Sequence, residues 1–207
     1  INMKYDINHE FVSISSQTAK HRIIFIHGWG ADADDLLPIG KELIEKSKFD
    51  IEVISLRAPS LHPNNYGRQW YSLYPPDWNE AENQVDKLVL TLNKLDTYKI
   101  SLKKTILFGF SQGAAMAVDA GLRLDLGLIV SCSGYPHPKW NPGNKYPPIL
   151  ISHGLMDEVV PISASRNIYN KIKSISQNVC EINQFDGNHQ IDLNLIDNIN
   201  IKIKELF

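Results

Sequence analysis

Six short runs along the chain are apolar at nearly every position: 22–28 (RIIFIHG), 51–59 (IEVISLRAP), 104–110 (KTILFGF), 126–134 (LGLIVSCSG), 147–154 (PPILISHG) and 179–187 (VCEINQFDG). A strand with one face in water alternates apolar and polar residues, whereas one covered on both faces is apolar throughout. These runs therefore predict buried parallel strands. FVSIS (11–15) is expected to add an antiparallel strand at the sheet edge.

Between the runs the apolar spacing changes to a helical period. Leu36, Ile39, Leu43 and Ile44 mark one helix, with Pro38 tolerable in its first turn, and Val85, Leu88, Val89, Leu92 and Leu95 mark a second. Ile168, Ile172 and Ile175 mark a third, with Ser163 as its expected cap, and Leu193, Ile196, Ile199, Ile203 and Leu206 mark the last. Strand and helix alternate, so the predicted fold is α/β: a doubly wound, mostly parallel sheet with helices on both faces. No linker composition or repeat interrupts it, and a single domain over 1–207 is expected. Residues 60–79 (SLHPNNYGRQWYSLYPPDWN) lack any period and read as a long ordered loop of the kind that often carries function.

Composition narrows the partners. The 207 residues are 43% hydrophobic and 21% charged, with a formal net charge of −2 and five arginines against sixteen lysines. No basic cluster with interleaved aromatics occurs, which argues against nucleic acid. No apolar stretch reaches the length of a bilayer span, so the expectation is a soluble cytoplasmic protein without an integral membrane segment. Cys132 and Cys180 lie far apart in sequence and are expected to be reduced thiols.

In an open parallel sheet, ligands bind beyond the carboxyl ends of the strands, and three of those ends carry chemistry. Ser111 follows the 104–110 run inside Gly109-Phe110-Ser111-Gln112-Gly113, a G-x-S-x-G pattern between a buried strand and a small-residue helix. Asp157 follows the 147–154 run, and His189 follows the last run. A serine hydroxyl needs a base, and the base needs a partner that fixes its tautomer. Ser111, Asp157 and His189 supply nucleophile, acid and base, and their order Ser, Asp, His along the chain is the one expected for a nucleophile elbow. His27 and His153 are rivals for the base, and Glu158 and Asp186 for the acid. Oxyanion donors are expected from the backbone N–H of Gln112 and from that of Trp29, in HGWGAD after the first run. Trp70 and Met156 are candidate walls of an acyl pocket, and Trp70 equally suits an anchor that ties its loop to the core.

The blocks IHGWGAD, RAPS…GRQWYSL, GFSQGAAMA, CSGYP, HGLMDEVVP and GNHQI resemble, in order, those of the phospholipase/carboxylesterase family of α/β-hydrolases, which includes the acyl-protein thioesterases. The resemblance implies a hydrolase without a large cap domain that acts on carboxylic esters or thioesters. It also implies no cofactor and no metal. Small-molecule or lipid-like esters, or an acylated protein, would be the substrates. A lysophospholipase, a methyl-ester esterase of pimeloyl carriers, a peptidase and a non-catalytic binding module are the alternatives. Two departures, Trp29 in place of leucine and Asn188 in place of glycine, leave the triad intact and bear on acyl preference.

Overall fold

The computed structural model describes residues 3–176 and 180–206. Among these residues eight strands form one sheet: β1 (Lys4–Ile7), β2 (Phe11–Ser15), β3 (His21–Ile26), β4 (Ile51–Leu56), and, beyond a two-stranded hairpin of β5 (Ser60–Leu61) and β6 (Arg68–Gln69), β7 (Thr105–Phe110), β8 (Leu128–Cys132), β9 (Ile149–Gly154) and β10 (Cys180–Phe185). The sheet order is β1-β2-β4-β3-β7-β8-β9-β10, with β1 and β2 antiparallel to their neighbours and the rest parallel. The chain moves from β3 to β4 on one side and then crosses to β7 on the other. The crevice between β3 and β7 is thus the switch point where a ligand site forms.

The helices are α1 (Leu37–Ser47), α2 (Trp78–Lys94), α3 (Gln112–Gly121), α4 (Ile162–Ile175) and α5 (Leu195–Leu206). Their apolar faces bury against opposite sides of the sheet. Ile23 and Phe25 of β3, Ile106 and Phe108 of β7 and Val130 of β8 pack with Leu43 of α1 and Ile199 and Ile203 of α5. Their neighbours Ile24, Ile26, Leu107 and Ile129 point the other way, to Leu88 of α2, Met116 of α3 and Ile168 of α4. Each central strand feeds two cores, which is why its sequence is apolar at every residue.

Several elements differ from expectation. FVSIS is not the edge, because β1, exposed at all four residues, pairs outside it. α2 begins inside the expected loop, where Asp77 caps it by accepting the Glu80 N–H at 2.9 Å. Ser163 lies within α4 rather than capping it; Pro161, extended and without an N–H, stands at that boundary. Leu193 precedes α5 and is exposed. Val179 and the side chain of Leu206 lie outside the described residues.

Candidate active site

The turn from β7 into α3 holds Ser111 at φ 56° and ψ −117°, a region that side-chain-bearing residues rarely occupy. Sequence dictates how tightly the turn closes. A Cβ on Gly109 would stand 2.2 Å from the Gly113 carbonyl oxygen, and one on Gly113 would stand 2.0 Å from that of Ile26. Only glycine fits either place. The turn lifts Ser111 to the carboxyl edge of the sheet, at the N-terminus of α3, where unpaired N–H groups favour negative charge.

Two neighbouring strand ends meet it there. His189 Nε2 lies 3.1 Å from Ser111 Oγ, and His189 Nδ1 lies 2.8 Å from Asp157 Oδ2. Asp157 Oδ1 accepts the N–H groups of Val159 and Val160 at 2.9 and 2.8 Å. Burial opposes ionisation of this carboxyl, but the hydrogen bonds from His189, Val160 and Val159 outweigh it and hold its pKa below the usual carboxylate value. With Asp157 ionised and accepting from Nδ1–H, the Nε2 atom that faces Ser111 carries the free lone pair.

The rivals have other positions. His27 Nδ1–H donates to Gly28 O at 2.8 Å while Nε2 accepts the Ala58 N–H at 3.1 Å, so the ring joins two loops. His153 Nδ1 is 2.7 Å from Ser165 Oγ, and its Nε2 lies 2.8 Å from Val160 O and 3.3 Å from Asp157 Oδ2. It braces the loop that carries Asp157. Burial lowers the pKa of both histidines. Glu158 and Asp186 are exposed, and neither bonds His189 among the described residues.

Trp29 follows β3 directly beside the elbow: a Cβ on Gly28 would lie 3.4 Å from Ser111 Cβ. Among the described residues no group takes up the Trp29 N–H, and Gln112, first residue of α3, has no intrahelical acceptor for its own. The Trp29 loop is laced to β6 by Gly30 N–H to Arg68 O (2.8 Å) and Arg68 N–H to Ala31 O (2.7 Å). The Trp29 indole donates to Gln69 Oε1 at 2.8 Å and packs edge-on against His62.

The Gln112 side chain was not anticipated from sequence. Its Oε1 accepts the Trp70 N–H at 3.0 Å and its Nε2 donates to Tyr71 O at 2.8 Å, clamping the elbow to the loop. Trp70 is buried, with its indole N–H donated to His27 O at 2.9 Å, the position of an anchor; its ring also lines a groove behind the loop. Behind Tyr71 runs a second unanticipated network. His137 Nδ1 bonds Asp119 Oδ2 at 2.9 Å, His137 Nε2 bonds the Tyr71 hydroxyl at 2.7 Å, and that hydroxyl bonds the Tyr135 hydroxyl at 2.7 Å. Desolvation, and then the neighbouring Tyr135 hydroxyl and the Asp119 carboxylate, push the Tyr71 phenol upward, so it stays a neutral donor. No local sequence pattern marks these pairs, since every partner is distant in the chain. Met156 is half exposed on the loop that carries Asp157, with its N–H bonded to Gly187 O at 2.9 Å. Cys132 and Cys180 are free and buried, and among the described residues no His, Cys, Asp and Glu side chains converge as metal ligands.

The family model described as phospholipase/carboxylesterase matches residues 7–206. The chain belongs to this family. Acyl-protein thioesterase 1 of Saccharomyces cerevisiae is 30% identical over 205 aligned residues, covering 84% of this chain and 85% of the yeast protein. The crystal structure of esterase PE8 superposes with a TM-score of 0.84 at 26% identity, covering all of both chains. The Bacillus cereus carboxylesterase shares the fold at 19% identity, with a TM-score of 0.79 over 99% of this chain and 95% of its own. As a member of the phospholipase/carboxylesterase family with these relatives, the chain is a serine hydrolase of ester or thioester bonds. Among the described residues its α/β-hydrolase sheet carries no large cap domain, and no helix is long and apolar enough to cross a membrane.

Proposed function

We propose that Ser111, His189 and Asp157 act as nucleophile, general base and orienting acid in the hydrolysis of carboxylic esters or thioesters through an acyl-enzyme. The observation that carries the reading is the unbroken line Ser111 Oγ, His189, Asp157, at 3.1 and 2.8 Å. His189 Nε2 takes the Ser111 hydroxyl proton as Oγ bonds the acyl carbon. The carbonyl oxygen becomes an oxyanion that accepts the N–H groups of Trp29 and Gln112. The tetrahedral carbon then expels the alcohol or thiol, which receives the proton from His189. Water, deprotonated in turn by His189, attacks the acyl-serine and releases the carboxylic acid, restoring Ser111.

The name of the yeast relative favours acyl thioesters, including those on acylated proteins, as the substrate class. Met156 is proposed to contact the acyl group. The two free thiols suit a reducing compartment, and the proposal is for a cytoplasmic enzyme. Because the central strands supply both cores, one cooperative domain over 1–207 is proposed as well.

The test is turnover of p-nitrophenyl esters and acyl thioesters of graded chain length, together with labelling by a fluorophosphonate. Wild type is expected to hydrolyse both and to be labelled. Ser111→Ala should lose both while keeping its circular dichroism spectrum. Undiminished hydrolysis in Ser111→Ala would overturn the assignment.

A further inference from the structure

Beside Trp70, a groove of about 700 Å³ runs between α2 and strand β4. Its size lies within the range of small-molecule sites, roughly 300–1,000 Å³. The floor is apolar, made by Ile54 and Leu56 of β4, Phe11 of β2, Leu88 of α2 and Leu95 at its C-cap, with Trp70 closing one end. From Gln84 to the C-cap Leu95, α2 borders it for ~16 Å at 1.5 Å rise per residue, room for an extended alkyl chain on the order of a dozen carbons.

The rim has the opposite character. Lys87, Thr91 and Lys94, at i, i+4 and i+7, stand along one edge of α2. Arg57 and Arg68 stand at the end nearest the carboxyl edge of the sheet. Against these four cations the groove wall offers one carboxylate, Glu10, with His9 beside it. Arg68 spends Nε and Nη2 on the carbonyls of Ala58 and Pro59, and Arg57 spends Nη1 on Asp32. Arg57 Nε is buried and without a partner among the described residues. That atom is enclosed by protein, so an acceptor in the groove would meet the outer edge of the same guanidinium at Nη2, which makes no hydrogen bond among the described residues.

We infer that this groove binds an anionic amphiphile, specifically an alkyl-chain carboxylate with its head at Arg57 and Arg68 and its tail along Leu88 and Leu95. The ligand class rests on the proposed reaction, since hydrolysis of an alkyl acyl ester or thioester yields such a carboxylate. The groove would then hold the released acid. Trp70, through its N–H on Gln112, links the occupied groove to the elbow.

Calorimetric titration with dodecanoate, kept below its micelle concentration, tests the inference on protein blocked at Ser111 by a fluorophosphonate, so that the reacting site is filled. One equivalent is expected to bind, with dodecanol at least tenfold weaker. Thr91→Trp, at an exposed position over the groove, and Arg57→Gln should each weaken dodecanoate at least tenfold, with circular dichroism confirming the fold of both. No binding to the blocked protein, or binding unchanged in Thr91→Trp and Arg57→Gln, overturns it. Failure of the probe to react counts against the proposed reaction instead, and the groove is then read on Ser111→Ala from the dodecanoate binding lost on adding Thr91→Trp or Arg57→Gln, neither of which touches the reacting site.

Discussion

Gln112 and Trp70 are joined across the entrance to α3: the Trp70 backbone N–H donates to Gln112 Oε1 at 3.0 Å, while Gln112 Nε2 returns a bond to the next carbonyl, Tyr71 O. Both ends of one carboxamide are used, and all of it is buried. Gln112→Ala keeps the backbone N–H proposed for the oxyanion but leaves two loop groups unpaired, at about 1–3 kcal/mol each. The expected result is a stable but weakened fold and a fall of about tenfold to a hundredfold in kcat with a smaller change in KM. Steady-state kinetics on the folded variant, with urea titration beside it, checks both.

The Tyr71 hydroxyl sits between His137 and Tyr135, so Tyr71→Phe strands a buried imidazole nitrogen and a phenol at once. A loss of about 1–3 kcal/mol in unfolding free energy is expected. His137→Gln, whose side-chain oxygen can accept from Tyr71, should lose less than His137→Leu. Equal losses in the two His137 variants would show that volume, not the hydrogen bond, matters there.

Asp157 fixes the His189 tautomer in the proposed mechanism, so Asp157→Asn is expected to lower kcat by about ten-thousandfold with little change in KM. Its Oδ1 bonds to Val159 and Val160 can be kept by the amide oxygen, which should leave the loop in place. A crystal structure of the variant, set beside its kinetics, separates a tautomer effect from a collapsed loop.

What was legible in the chain follows from where information is stored. Strands covered on both faces announce themselves as unbroken apolar runs, and their ends point to Ser111, Asp157 and His189 without any knowledge of the loops between. β1 is silent because its four residues are all exposed and its place depends only on pairing with β2. The start of α2 was readable, since Asp77 and Glu80 have capping spacing, but the prolines and aromatics around them masked it. The Gln112 clamp and the Asp119–His137–Tyr71 network are illegible in principle from local pattern. Their members lie 18 to 66 positions apart and meet only after the sheet has formed.

Buried neutral histidines give stability a definite pH dependence. Burial lowers the folded pKa of His27 and His153 below the ordinary value near 6.5. Their contribution is therefore complete above about pH 6.5 and is lost as pH falls towards the folded pKa, because only the unfolded chain takes up the protons. The unfolding free energy should decline below that pH by up to about 1.4 kcal/mol per pH unit for each histidine. Urea titrations from pH 7.5 to 5 on wild type and His27→Gln measure it, and the variant's slope should be shallower by about one proton.

The backbone of Ser111 has a thermodynamic corollary. A residue with a side chain held at φ 56° and ψ −117° costs on the order of 1–3 kcal/mol, a cost that glycine largely avoids. Ser111→Gly should thus unfold about 1 kcal/mol later than wild type, roughly 2–4 °C in Tm for a chain of this size, while hydrolysing nothing. Selection for turnover would then keep this fold below the stability its own scaffold can reach.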